Sequence, residues 1–425
     1  KIKFLSSVFL TLAVTGTLAN ARPDEVLIST LIASGDGEGA YSALVRADPT
    51  AADQLFFQGL VAKHSGDFAA AAKLFNDTLV QDPSHINARR ELGHVLYLSE
   101  KFGPAERQFK DLKKVDGNPE MQRVYDGFLN QIAARKPYGF SGSFAILPST
   151  NVNRGSQKLI YDSVIGAFTI DPSSRAESGV GMQVGVNGFY RKNLSAKARN
   201  IFSFNALGLF YENSAFNSKA GTLRFTHERI AGTKTKLSYS AHIGHPWRAD
   251  KTGDSEVMGA SISAIHSLTA RDTLYASLSY EHRDYLYLDN NSGPTANASL
   301  SYGRQIDPSL SYSFGLSLSE ATPNSKHAQY KGVQISTSIT KAWDGGLVTG
   351  INFNVGQRSY GADFPLAGEP RGDTYYGVGF SLQNNNWSIR GFVPQTSCNY
   401  TRNSSNIAFY EYDVVECNLS VSRRF

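Results

Sequence analysis

The sequence predicts an α+β multidomain chain, in which an α-helical domain is followed by a transmembrane antiparallel β-barrel of about 14 strands. Apolar residues recur with helical spacing before position 136 and alternate with polar residues after it. Beyond the first twenty residues there is no run of about 18 consecutive apolar residues, which a helical membrane span requires. The second face of the alternating segments carries small polar residues, which suit a water-filled lumen better than the core of a soluble sandwich.

Residues 1–21 are predicted to be a signal peptide. Lys1 and Lys3 precede a mostly apolar stretch, and Ala19-Asn20-Ala21 fits the small-x-small pattern of a cleavage site. A membrane anchor is the alternative, but serines and threonines interrupt the apolar stretch. The mature chain is expected to begin at Arg22, and because no Cys follows the cleavage site, a lipoprotein is not expected.

Residues 22–136 are predicted to form a tetratricopeptide-like helical domain. Small and aromatic residues recur with a period of about 34, the length of a tetratricopeptide unit. The recurring residues are Gly59, Ala71 and Phe75, then Gly93, Ala105 and Phe109. Two units are few for a stable solenoid, so residues 24–46 and 119–134 are expected to add flanking helices. The alternative is a pair of unrelated helical hairpins.

The first helix of each tetratricopeptide pair lines a concave groove, and this resemblance implies a groove that binds a client polypeptide. The residues expected to bind the client are Lys63, His64, Arg90, His94 and Tyr97. Phe56 and Leu60 fall on the same face, where they either line the groove or belong to the ordinary core.

Residues 137–425 are predicted to form the barrel, because the apolar period changes after Lys136-Pro137. The clearest strand alternates large apolar residues at even positions from Leu310 to Leu318 with Ser and Gly between them. The expected strands are 138–147, 178–190, 199–212, 219–230, 234–244, 256–267, 273–283, 296–306, 309–319, 329–341, 346–358, 373–383, 387–396 and 413–425.

Short and long connections between these strands are expected to alternate. Short turns are expected at 191–198, 231–233, 268–272, 307–308, 342–345 and 384–386, and longer loops between the other strands, with 213–218 as a short exception. This asymmetry is typical of outer-membrane barrels, whose periplasmic turns are short. An even number of strands places both ends of the barrel on the turn side, and therefore places the helical domain in the periplasm.

The last segment, 415–425, is predicted to be the strand that closes the barrel. Leu419, Val421 and Phe425 fall on one face and polar residues on the other, over about the length that a tilted strand needs to cross a bilayer. A peripheral strand of a soluble sheet is the alternative. Cys417 lies in this strand, and with Cys398 it either forms a disulfide near the mouth of the last hairpin or stays unpaired.

The sequence contains no recognisable catalytic constellation, so an enzyme, a metal site and a cofactor are not expected. His242 and His245 stand without Cys or carboxylate companions, which makes them a weak metal motif. The net charge of +5 is spread along the chain without a basic cluster, and nucleic acid is not an expected partner.

Residues 143–155, S-F-A-I-L-P-S-T-N-V-N-R-G, resemble the opening strand of the surface lipoprotein assembly modifier family, which runs into a P-x-[ST]-N-[IV]-N segment. The terminal S-V-S-R-R-F resembles the family's closing strand. The resemblance implies a bacterial outer-membrane protein that delivers a lipoprotein or a soluble exported protein from the periplasm to the cell surface. Asn151, Asn153 and Arg154 then either contact the client or form a polar turn with local Asx hydrogen bonds.

The expected partners are the exported client, outer-membrane lipid and the barrel assembly machinery, which would act on the C-terminal strand of a monomer. Two other functions stay open. One is a passive pore whose helical domain docks to a periplasmic complex, and the other is a barrel enzyme that hydrolyses lipid.

Overall fold

The computed structural model describes residues 24–365, 367–384, 387 and 392–424, so the predicted signal peptide and Phe425 lie outside the described residues. The chain divides between Lys136 and Pro137 into two compact units. In the described ranges, no helix has both the length and the hydropathy that crossing a membrane would require.

The first unit is helical, with caps that the sequence supplies. Asp24, Thr50 and Asn118 each accept backbone N–H groups of the first turn of a helix, and Thr50 completes a capping box with Asp53. Gly35, with a φ of 85°, ends the first helix. The helices are α1 (Glu25–Ser34), α2 (Gly37–Arg46), α3 (Ala51–His64), α4 (Phe68–Gln81), α5 (Ile86–Leu98), α6 (Phe102–Val115) and α7 (Pro119–Arg135).

The pairs α3/α4 and α5/α6 pack in the same way. A Cβ on Gly59 would lie 2.5 Å from the ring of Phe75, and one on Gly93 would lie 3.2 Å from the ring of Phe109. Both rings are fully buried. The equivalent packing of two helical pairs supports a tetratricopeptide repeat, and that assignment stays a prediction.

In the described part of the second unit, 14 strands form a closed antiparallel barrel, as predicted. Each strand pairs with its neighbours in the sequence, and β1 pairs with β16 to close the barrel. The barrel strands are β1 (Tyr138–Ser149), β4 (Gly179–Ser195), β5 (Ala198–Tyr211), β6 (Ser218–Ala231), β7 (Thr235–Arg248), β8 (Ser255–Ser267), β9 (Asp272–Tyr285), β10 (Gly293–Asp307), β11 (Leu310–Ala321), β12 (Tyr330–Ala342), β13 (Leu347–Asp363), β14 (Pro370–Asn384), β15 (Val393–Ser405) and β16 (Tyr412–Arg424). A separate hairpin, β2 (Ile160–Ser163) and β3 (Gly166–Thr169), lies in the first loop.

Large apolar side chains point out of the barrel and small polar side chains point into it. On β11, Phe314 and Leu318 are about half exposed on the outer face, while Ser313 and Ser317 face the lumen between them. Apolar residues of this kind on the strands other than β15 form a belt that hydrocarbon would cover. The predicted alternation is confirmed.

The expected long loops are shorter than predicted, because the strands continue beyond the apolar belt. At the loop end of the barrel, opposite the turn end where β1 begins and β16 ends, most connections are brief: 212–217, 249–254, 286–292, 322–329, 364–369 and 406–411. Among the described residues at this end, 150–178 forms the long connection. The strand expected at 387–396 begins at Val393 and runs to Ser405, so the loop expected at 397–412 is wrong. Above the belt the residues on both strand faces are polar, and they stay paired in the sheet.

Candidate functional site

The lumen wall formed by β10–β14 is polar, uncharged over most of its length, and built from small side chains. Hydroxyl groups bond across strands there, with Ser313 Oγ 2.8 Å from Ser338 Oγ, and at the edge of this wall Ser277 Oγ of β9 lies 2.7 Å from Ser299 Oγ of β10. The other inward residues include Ser301, Ser317, Ser319, Gln334, Ser336, Asn352 and Asn354. This surface offers hydrogen-bond donors and acceptors with few fixed charges.

Glycines on β14 let asparagine side chains lie flat along the same wall. A Cβ on Gly379 would lie 2.2 Å from Asn352 Oδ1 and 2.1 Å from Asn399 Oδ1. A Cβ on Gly377 would lie 2.6 Å from Asn354 Oδ1. Any larger residue at these glycines would push the amides into the lumen, so the glycines keep it wide.

The first loop is anchored by the motif that contains Asn151 and Asn153. Asn151 is buried, and its Nδ2 donates to the carbonyl of Gly155 (3.0 Å) and to that of Asp413 on β16 (3.3 Å). Its Oδ1 accepts from the N–H of Gly155 at 2.9 Å. Asn153 Nδ2 donates to the carbonyl of Arg175 (2.7 Å), joining the start of the loop to its end. Both side-chain amides therefore join parts of the first loop to each other, and Asn151 also joins this loop to β16.

Arg154 differs from its two motif neighbours because its side chain is exposed. It has a φ of 51° and lies 3.4 Å from Glu416, with 59% of the side chain accessible. An exposed ion pair of this kind contributes little to stability, so for Arg154 the expected client contact stays a prediction.

The first loop packs onto the last loop at one side of the rim. Tyr161 and Ile170 of the first loop form a buried cluster with Ile407, and the Tyr161 ring lies 4.7 Å from that of Phe409. Ser156 Oγ donates to the carbonyl of Ala408 at 2.6 Å. The long loop is thus fixed over the β15–β16 side of the loop end.

Leu419 and Val421 lie on the strand that closes the barrel, opposite Ile146 and Phe144 of β1. Cys398 and Cys417 form a disulfide between directly opposed positions of β15 and β16. The bond lies in the middle of the two strands, on their outer face, and not near the mouth of the last hairpin as expected.

The predicted groove residues of α3 separate into surface and core. Lys63 is half-buried and forms an ion pair with Glu91, while His64 is exposed. Phe56 and Leu60 are buried in the helical core, which favours the core alternative for both.

The predicted groove residues of α5 are covered by α7 and by the segment that joins α6 to α7. Arg90 Nε donates to Tyr125 Oη at 2.7 Å, and Tyr97 Oη donates to Gln131 Oε1 at 2.7 Å. His94 is buried, with its ring 5.7 Å from that of Phe128. The structure therefore differs from the expectation that these three side chains line an open groove.

The buried His94 predicts that the helical unit is sensitive to acid. Burial, with a smaller effect of the Lys63 charge, lowers the pKa of His94 from 6.5 to about 3. The folded unit holds a neutral ring, while the unfolded chain takes up a proton below pH about 6.5. We expect stability to fall by up to about 1.4 kcal/mol per pH unit between those two values.

Urea unfolding of the full chain at several pH values, followed by circular dichroism at 222 nm, measures this slope, since the barrel contributes little helical signal. The His94→Leu variant should flatten the slope, and the matched variant of an exposed histidine, His64→Leu, should keep it. An unchanged slope in His94→Leu would assign the acid sensitivity to other groups.

His242 and His245 lie on opposite faces of β7, so they do not form one site. In the ranges that the structure covers, no group of three or more His, Cys, Asp or Glu side chains could hold a metal ion.

A sequence model described as surface lipoprotein assembly modifier matches residues 138–425. Surface lipoprotein assembly modifier 1 of Haemophilus influenzae is 22% identical over 403 residues, covering 91% of this chain and 80% of the relative. The surface lipoprotein assembly modifier of Pasteurella multocida is 20% identical over 389 residues, covering 87% and 75%. Hemophilin secretion modulator of Acinetobacter baumannii is 22% identical over 397 residues, covering 87% and 78%. Each alignment is longer than the barrel, so the similarity continues into the helical unit.

Proposed function

The chain belongs to the surface lipoprotein assembly modifier family, and on this premise we propose that it is a translocator that delivers an exported partner protein from the periplasm to the cell surface. Its outer-membrane location and its role in surface protein assembly follow from the family and the closed barrel. The direction of transport, the passage through the lumen and the periplasmic position of the helical unit are our proposal. The partner is either a lipoprotein or a soluble protein, since relatives are named for both lipoprotein assembly and hemophilin secretion.

The polar lumen wall is the observation that carries this proposal. An unfolded polypeptide presents backbone donors and acceptors that would cost several kcal/mol each in hydrocarbon if left unpaired. Hydroxyl and amide groups such as Ser313, Ser338 and Asn354 can exchange hydrogen bonds with any such segment. With few charges and little apolar surface, the wall would hold no segment tightly.

The helical unit would recruit the partner protein. We expect its exposed residues to form the contact with that protein. His64 is exposed and Lys63 is half-buried on α3, in contrast to the covered residues of α5. Transport in this proposal involves no chemical step, and folding of the partner outside the cell supplies the direction. We propose further that the barrel assembly machinery recognises the closing strand.

Protease shaving of intact cells, with and without the gene, followed by surface and periplasmic proteomics, tests the proposal. We expect one or two specific proteins to leave the surface and accumulate in the periplasm. Complementation with Gly379→Phe, which places a ring into the lumen, should fail. Complementation with Gly361→Phe, which has open space around its Cβ, should succeed. If no protein changes place while uptake of small solutes falls, the chain is a passive pore and the proposal is wrong.

A further inference from the structure

Charged side chains gather on the β6–β9 side of the lumen, in contrast to the largely uncharged wall opposite. They line a cavity of about 560 Å³ in the half of the barrel nearer the loop end. We call Arg224, His242, Glu281 and Arg283 the luminal basic cluster. Ser261, Ser279 and Asn297 line the same cavity and add hydroxyl and amide groups.

Glu281 is shared by two members of the cluster. His242 Nε2 lies 3.3 Å from one carboxylate oxygen, and Arg283 donates to the other at 3.3 Å. His242 and Glu281 lie on β7 and β9, and Gly259 lies between them on β8. A Cβ on Gly259 would lie 2.4 Å from the His242 ring, so glycine is what allows the ring to reach across β8.

Arg224 supplies the unbalanced charge. It lies directly opposite His242 in register, and its neighbour Leu223 is exposed on the outer face. Within the described part of the chain, its guanidinium makes no ion pair and no hydrogen bond. His242 Nδ1 is also buried without a hydrogen-bond partner there. The cavity therefore holds two guanidinium groups for one carboxylate, with donors left over.

We propose that the luminal basic cluster binds a carboxylate group. A guanidinium fork matches the two oxygens of a carboxylate and can bind it through two parallel charge-assisted hydrogen bonds. The surplus of one positive charge matches a single carboxylate group of a ligand, which carries one negative charge, better than a phosphate group, which carries up to two.

The carboxylate has two sources, a small dicarboxylate in the lumen water or an Asp or Glu side chain of a polypeptide in the lumen. Only the second source rests on the proposed function. Binding of a small dicarboxylate to the purified protein needs no transport, so the site and the translocator proposal can fail separately.

Equilibrium dialysis of the full chain in detergent tests the site, with labelled succinate and labelled poly-L-glutamate as separate probes and succinamide as the neutral competitor. We expect saturable binding that succinamide does not displace. Arg224→Gln should weaken it about tenfold or more, the loss expected for one charge-assisted hydrogen bond. Glu281→Gln should strengthen it, because it removes the competing carboxylate. This change of opposite sign cannot come from misfolding.

The matched control is Arg199→Gln, which removes a luminal arginine that is paired with Glu228 at the turn end. Arg199→Gln should leave the affinity for each probe within about twofold of the wild-type value, since the substitution is distant from the cavity. Binding of both probes assigns the site to small and polypeptide carboxylates alike, and binding of one probe assigns it to that source. The proposal is overturned if neither probe binds saturably, or if Arg224→Gln and Arg199→Gln bind equally well.

Discussion

The Arg90→Ala variant is expected to lose about 3–5 kcal/mol of the free energy of unfolding of the helical unit. The guanidinium donates from Nη2 to Asp116 at 2.6 Å and from Nε to Tyr125 at 2.7 Å. Tyr125 also donates to Asp116, and both partners are buried. Removing Arg90 leaves a buried carboxylate with no cation, which is the costly way to break a buried ion pair.

The pH dependence of this loss has a definite sign. Burial pushes the pKa of Asp116 upward, but the hydrogen bonds from Arg90 and Tyr125 outweigh it and hold the pKa below its usual value. The stabilisation is therefore complete above the usual carboxyl pKa and disappears as the pH falls through the lowered one. The difference between wild type and Arg90→Ala should shrink in acid.

The neighbouring Arg89 provides the matched control. Its guanidinium donates to Gln108 Oε1 at 3.3 Å and to the carbonyl of Pro83 at 3.1 Å, which are both neutral acceptors. Arg89→Ala should cost about 1 kcal/mol or less. Urea unfolding monitored at 222 nm measures both variants. Equal losses would show that the charge on Asp116 is not what Arg90 compensates.

Alternation predicted the barrel because each strand meets hydrocarbon on one face and water on the other. That constraint fixes every second residue of β11, for example Phe314, Leu316 and Leu318. The constraint no longer applies above the apolar belt. There Arg402 and Asn403 place polar side chains on the two faces of β15, yet they remain paired with Tyr376 and Tyr375. The bounds of β15 could not be read from the sequence for this reason.

The helical groove was predicted less well, because the spacing of residues identifies a helix face but not what covers it. Arg90, His94 and Tyr97 share one face of α5, as predicted. Helix α7 and the segment that joins α6 to α7 cover that face. An apolar stripe on α7, from Tyr125 to Ile132, was the available sign that this helix packs inward.

The luminal basic cluster could not have been found from the sequence. Its members come from β6, β7 and β9, and only the register of the strands brings them together. Strand register depends on turn geometry and on the apolar pattern of each strand, and turn bounds read from the sequence were not precise enough to fix it.

Asn151→Asp is expected to release the first loop from the rim while leaving the barrel closed. The new carboxylate can still accept from the N–H of Gly155, but the carbonyls of Gly155 and Asp413 would lose a donor and face a buried negative charge. Each such loss costs about 1–3 kcal/mol. The β1–β16 pairing from Ser141 to Ile146 does not involve Asn151, so the barrel itself should persist.

Trypsin treatment of intact cells measures the release, because Lys158 lies in the first loop and this loop faces outward in the proposed orientation. We expect cleavage after Lys158 to accelerate about tenfold or more, since each 1.4 kcal/mol of lost local stability raises the open population tenfold. Asn290→Asp, at an exposed asparagine of loop 286–292, is the control and should leave cleavage unchanged. Faster cleavage in Asn151→Asp alone identifies the motif as an anchor for the loop. If the loop stays protected while delivery of the partner protein fails, Asn151 instead contacts the client, and the anchoring role inferred from its hydrogen bonds is wrong.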